Sequence, residues 1–125
     1  MVEEDYIFRT IKEMGRTLLK FLFGLDTDSP EPEQMQNEEY RAELLELEHI
    51  ADQGKINSAE NRLYDVLNPN DRGTLEIALF FYLYLNNFSD DFLNAHDFGR
   101  DEIKCGMQDT VAMFGQSSIA DAFTI

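Results

Sequence analysis

Residues 44–67 read LLELEHIADQGKINSAENRLYDVL and carry the signals of two helices joined by one tight turn. Gly54 offers the left-handed residue that commonly ends a helix, and Asn57 with Glu60 forms an N-x-x-E capping box that starts the next one. A turn of about three residues favours an antiparallel hairpin, with Ile56 placed to pack at the entry of the second helix. The stretch therefore predicts an all-α fold built from helical hairpins.

Residues 1–25 have the spacing of a long amphipathic helix. The apolar positions recur at steps of three and four, and they are Ile7, Ile11, Met14, Leu18, Phe21 or Leu22, and Leu25. Four bases follow a similar spacing and form what we call the basic stripe: Arg9, Lys12, Arg16 and Lys20. Residues 1–20 hold four bases and four acids, so the rest of the chain carries the whole net charge of −15.

Three packing arrangements are compatible with the sequence of this first helix. It packs on its own bundle with the basic stripe against the acidic hairpin, it packs on a second copy in a homodimer, or it lies weakly on an anionic membrane surface.

Residues 26–37 contain two prolines and almost no apolar residues, a composition that indicates a loop or hinge. The hairpin then begins near Glu38 and buries Leu44, Leu47 and Ile50 or Ala51. Its outer side is strongly acidic, with Glu39, Glu43, Glu46 and Glu48. The partner helix is expected at residues 58–67.

Residues 38–115 are predicted to form the helical core. Residues 75–85 are apolar on nearly every side, which predicts a central helix, with Thr74 as its cap. Ser89 starts a short helix, and residues 101–114 form the last long one. Gly24 and Gly115 suit helix ends, and residues 116–125 remain as a C-terminal tail whose apolar residues are placed to dock as a final turn.

Composition bounds the class of protein. A chain of 125 residues with 43% apolar content suits a single domain, residues 1–125, of five or six helices. A net charge of −15 argues against binding of nucleic-acid phosphates and is compatible with a basic partner.

The single cysteine favours a reducing, cytoplasmic location. The longest apolar run is nine residues, 77–85, against the roughly 20 that cross a bilayer, and residues 1–25 lack the pattern of a signal peptide.

The segment IADQGKINSAENRL, residues 50–63, resembles the middle of a single tetratricopeptide repeat, in which a glycine, an apolar residue and an alanine allow close helix packing. Gly54, Ile56 and Ala59 supply these residues. The positions 32 residues later do not repeat them, so an ordinary helical bundle with one tight hairpin is favoured over a superhelix.

A wider resemblance covers nearly the whole chain. The segments EEDYIFRTIKEM, GKINSAEN and FGRDEIKCGM together look like an uncharacterised family of small, acidic, cytoplasmic bacterial proteins. The resemblance implies an all-helical single domain and assigns no catalytic residue.

The residues capable of metal or nucleophilic chemistry are few. His49 and His96 each neighbour acids, but no H-x-x-x-H or C-x-x-C spacing occurs, so both are interpreted as structural or surface histidines. Cys105 has no histidine close in sequence and is interpreted as a half-buried packing residue. No metal, cofactor or catalytic residue is predicted.

The favoured function is a protein-interaction or scaffold module that binds a basic or amphipathic protein partner through acidic helical surfaces. The candidate partner-binding residues are the basic stripe and Glu39, Glu43 and Glu46. One alternative is an enzyme or small-ligand binder whose site uses the acidic helices with Tyr64, Tyr82 or Tyr84. Another is a peripheral membrane-surface protein that uses the first helix.

Overall fold

The computed structural model describes residues 2–27 and 29–116. The predicted docking of the tail falls on residues 117–125 and lies outside the described part. Within it there are six α-helices and no strand, which confirms the all-α bundle. They are α1 (Val2–Phe23), α2 (Glu38–Asp52), α3 (Ile56–Val66), α4 (Gly73–Asn86), α5 (Asp90–Ala95) and α6 (Arg100–Met113), with a 3-10 turn at Pro32–Gln34. No helix in these ranges is long and apolar enough to cross a bilayer.

Helix α4 is the centre of the core, as its apolar composition predicts. Eleven of its 14 residues are buried, because it packs against α1, α2 and α6 and more lightly against α3. Helices α2 and α3 pack against each other as the predicted hairpin. The tetratricopeptide likeness of that hairpin stays a prediction.

Helix α1 packs on its own chain, against α4 and α6. Its side chains Ile11, Met14 and Leu18 are fully buried, whereas Phe21 is 74% exposed and Leu22 takes the inward position. The close approach to α4 occurs at Gly15, where an added Cβ would lie 2.6 Å from Cδ2 of Leu83. The apolar stripe of α1 is thus part of the core.

The helix-ending glycines adopt the predicted backbone. Gly24, Gly54 and Gly115 have φ angles of 68°, 86° and 75°, in the left-handed region that glycine enters without a steric cost. Each lies just beyond the last residue of a helix or in its terminal turn. Ser89 is also confirmed as an N-cap, since its hydroxyl accepts a hydrogen bond from the Phe92 N–H at 3.0 Å.

The predicted capping box at Asn57 is wrong. Helix α3 begins two residues earlier than predicted, at Ile56, with Lys55 as the N-cap residue, so Asn57 lies inside the first turn. The Glu60 side chain does not reach back to the helix start, because it accepts a hydrogen bond from the Tyr82 hydroxyl at 2.7 Å. Burial of Ile56 and the contact of Glu60 with α4 therefore set the start of the helix.

The predicted cap at Thr74 is also wrong. Helix α4 begins at Gly73, and Thr74 lies within its first turn. The Thr74 hydroxyl instead holds the preceding turn, donating to the Asp71 carbonyl at 2.8 Å and accepting from the Asn68 N–H at 3.0 Å.

Residues 26, 27 and 29–37 contain no α-helix, and the C-terminal part of this stretch is anchored to the core. Met35 is fully buried, and its carbonyl accepts a hydrogen bond from Nε of Arg41 at 3.1 Å. Burying a methionine side chain contributes about 2 kcal/mol. The segment folds back along α2 through this anchor, and the hinge interpretation has no support from the packing.

Candidate functional site

The basic stripe lies on the exposed side of α1. Arg9, Lys12, Arg16 and Lys20 are all exposed. Arg16 Nη2 and Lys20 Nζ each lie 3.7 Å from the Asp26 carboxylate, just beyond the end of the helix. Among the ion pairs between described residues, those of the stripe go to Asp26, and none joins the stripe to the acidic hairpin.

The three predicted acids of α2 do not act as one group. Glu43 is partly buried and pairs with Arg62 of α3, with Nε 2.7 Å from Oε2. Glu39 and Glu46 are exposed. The hairpin therefore neutralises one of its predicted partner-binding acids internally.

A stronger concentration of negative charge lies on the other flank of α2. We call it the acidic cluster: Glu31, Glu33, Glu48 and Asp52. Glu48 is half-buried, and desolvation together with the charges of the other three raises its pKa to about 7. The spacing of Glu48 and Asp52 is visible in the sequence, but the fold-back that brings Glu31 and Glu33 to them depends on the buried Met35.

The surroundings of the acidic cluster are partly apolar. Leu45, three residues before Glu48 and so on the same flank of the helix, is 48% exposed. The Tyr84 hydroxyl donates a hydrogen bond of 2.5 Å to Asp52 and ties α4 to the cluster. This flank of α2 thus combines uncompensated negative charge with an accessible apolar side chain.

Two of the three tyrosines of the enzyme alternative, Tyr64 and Tyr82, interact with each other near Glu60, whereas Tyr84 has a different partner. Tyr82 is fully buried with its hydroxyl on Glu60, while Tyr84 bonds to Asp52. Burial, with the neighbouring carboxylates, raises the pKa of both phenols. Phenols held protonated in this way are poor general bases at neutral pH.

The histidines and the cysteine have separate environments. His49 is exposed and lies 3.1 Å from the Gln53 side chain, whereas His96 Nδ1 lies 2.8 Å from the Phe92 carbonyl. Cys105 is exposed, so the half-buried packing role expected for it is wrong. Its position on the outer side of α6 explains the difference, because the neighbouring Ile103, Gly106 and Met107 take the inward positions. In the described ranges no three His, Cys, Asp or Glu side chains are arranged to hold a metal ion.

A polar cleft of about 480 Å³ opens where α1 ends and α2 and α4 begin. The Tyr40 hydroxyl donates a hydrogen bond to Asp71 inside it. Glu76 also lines the cleft, and desolvation raises its pKa. No motif marks this cleft in the sequence, since its lining residues come from three separate stretches of the chain: 23–25, 34–40 and 71–76.

A family model matches residues 1–115 over nearly the whole chain. The chain belongs to the family of unknown function DUF6483. Comparison with curated proteins found no significant match, and comparison with solved structures found none. The expected membership of an uncharacterised all-helical family is thus confirmed.

Proposed function

We propose that this DUF6483 protein is an interaction module that binds a basic, partly apolar protein segment at the acidic cluster. The observation that carries the proposal is the half-buried Glu48, whose pKa of about 7 reflects burial and three like charges without a described cation beside it. A Lys or Arg side chain placed there would relieve this repulsion, and Leu45 offers apolar area next to it. The proposed binding surface is therefore the flank of α2 opposite to the one that carries Glu39, Glu43 and Glu46.

Binding is expected to release protons near neutral pH. A cation next to Glu48 favours its charged form and lowers its pKa, so the complex holds fewer protons than the free protein. Affinity for a basic segment should accordingly rise between pH 6 and pH 8, and salt should weaken it.

A defined probe tests the proposal: a synthetic amphipathic peptide of Lys and Leu, titrated calorimetrically into the full chain. The triple variant E31Q/E33Q/E48Q is compared with E38Q/E39Q/E46Q, which removes the same number of carboxyl groups from exposed positions of α2. We expect the cluster variant to bind at least about tenfold more weakly and the control to stay within about threefold of wild type. Equal losses would show a general charge effect, and absence of binding to wild type would reject the module.

The other partner assignments remain proposals. A homodimer through α1 would use the outer side of that helix, where Phe21 is exposed beside Lys20. Light scattering on wild type and on F21S tests this, with a monomeric wild type as the contrary result. A cytoplasmic location is proposed from the single cysteine.

The membrane-surface alternative has less support, because the apolar stripe of α1 lies in the protein's own core. Flotation of the full chain with anionic vesicles tests it. Absence of binding would remove that alternative.

A further inference from the structure

The cleft at the ends of α1, α2 and α4 is a concave site that the proposed function does not use. Its volume of about 480 Å³ lies in the range of small-ligand pockets. Phe23 and Leu25 form apolar walls, and amide side chains complete the polar lining: Gln34, Gln36 and Asn37. The site is large enough for a group the size of a lysine or arginine side chain.

The two carboxylates of the cleft differ in their partners. Asp71 accepts hydrogen bonds from the Tyr40 hydroxyl and, at 3.1 Å, from the Gly73 N–H. Glu76 is half-buried, and within residues 2–27 and 29–116 no hydrogen bond or ion pair reaches its carboxylate. A carboxylate that is partly removed from water without a partner is destabilising, and a bound cation would offset that cost.

These contacts determine whether the cleft favours a positively or a negatively charged ligand. The N-terminal end of a helix favours an anion, but at α4 Asp71 already takes that position. An added anion would meet both Asp71 and Glu76. The guanidinium of Arg72 already lies over the Phe23 ring at 5.9 Å, so this aromatic wall is left to contact the apolar stem of a ligand and the charge of the ligand is left to Glu76.

We propose that this cleft binds an organic cation, an ammonium or guanidinium group on an apolar stem, with its charge at Glu76 and its stem against Leu25 and Phe23. The same chemistry is offered by a free polyamine and by a lysine or arginine side chain of another protein. The cleft is separate from the acidic cluster, and the proposal does not depend on the proposed function.

The test is an NMR titration of the uniformly ¹⁵N-labelled full chain with spermidine, with N-acetyl-lysine amide and with N-acetyl-arginine amide. We expect saturable shifts at the amides of Gly73 and Glu76. E76Q should weaken binding at least about tenfold, E76D should retain most of it, and the exposed charge control E46Q should leave it unchanged. Circular dichroism checks that each variant is folded, and E76Q should be, since it removes a half-buried charge.

The possible outcomes distinguish a free polyamine from a protein side chain as the ligand, and the cation cleft from the acidic cluster as the binding site. Tighter binding of spermidine than of the amino-acid amides identifies a free polyamine, and the reverse order identifies a protein side chain. Non-saturable shifts with all three probes, or equal losses in E76Q and E46Q, would overturn the cation site. Because E76Q leaves the acidic cluster intact, the E31Q/E33Q/E48Q variant should weaken binding of the Lys and Leu peptide by the same factor with glutamate or glutamine at position 76.

Discussion

The guanidinium of Arg100 in α6 is bound to Asn86 at the end of α4, donating to its backbone carbonyl at 2.6 Å and to its side-chain oxygen at 3.1 Å. Arg100 also donates to the Phe88 carbonyl at 3.0 Å and to Asp90 at 2.7 Å. Asn86 in turn donates to the Phe8 carbonyl of α1 at 3.1 Å. One buried arginine thus connects α4, α5 and α6, and through Asn86 it also connects α1.

We expect R100M to destabilise the fold by about 3 kcal/mol, because it leaves several buried acceptors without donors. R100K should recover only part of this, since one ammonium cannot match the planar guanidinium fork. Urea unfolding measures both. The matched control is D90N, which should cost less than about 1 kcal/mol because the Asp90 side chain is 44% exposed. A D90N loss as large as that of R100M would assign the effect to the ion pair rather than to the buried hydrogen bonds.

The stability of the protein should fall as pH rises from about 4.5 to 7. The pKa of Glu48 is about 7 in the folded state and near 4.5 in the unfolded state. As pH rises through this window, the Glu48 carboxyl group is therefore deprotonated in the unfolded chain while it is still protonated in the folded protein. Solvent screening of this partly exposed carboxylate limits the loss to about 1 kcal/mol. E48Q should remove that part of the slope in urea unfolding measured from pH 4 to 8. The raised pKa values of Glu60 and Glu76 act in the same direction and leave a residual slope.

G54A should cost about 2 kcal/mol. Alanine is disfavoured at a φ of 86°, and its Cβ would lie 2.2 Å from Nε2 of His96. The His96 ring has little room to retreat, since Nδ1 bonds to the Phe92 carbonyl and the ring packs on that of Phe92 at 4.4 Å. A double-mutant cycle with H96A separates the two effects, and we expect a coupling of about 1 kcal/mol. Strict additivity would mean that only the backbone conformation matters.

Two tyrosines of α4 provide a matched pair of hydroxyl deletions. Y82F should cost about 1 to 2 kcal/mol, because it removes the only described hydrogen-bond donor found for the half-buried Glu60. Y84F should cost less than about 1 kcal/mol, since its partner Asp52 is exposed to water. Thermal unfolding at pH 7 compares them. Equal losses would contradict the importance of burial at Glu60.

Local signals in the sequence predict much of the fold. The three-and-four spacing of α1, the apolar circumference of α4, the glycine at position 54 and the Ser89 cap each act over a few residues, so they can be recognised without tertiary information. The start of α3 instead involves a distant contact. Glu60 has the spacing of a capping residue, but Tyr82 of another helix binds its carboxylate.

The candidate sites were less predictable for the same reason. Glu39, Glu43 and Glu46 are acidic in the sequence, but Arg62, 19 residues after Glu43, decides that Glu43 is neutralised. The acidic cluster requires the fold-back that the burial of Met35 anchors. No local pattern in the sequence distinguishes Arg100 from a surface base, whereas in the structure it is buried, with 8% of its surface exposed.

The close approach of α1 and α4 at Gly15 also limits how this family can diverge. A side chain at position 15 would overlap Leu83 unless that leucine were replaced by a smaller residue. The side chains at positions 15 and 83 therefore compete for the same space between α1 and α4. In relatives that keep this crossing, residues 15 and 83 should vary in opposite senses of size. A relative with large residues at both positions would have to set α1 at a greater distance from the core.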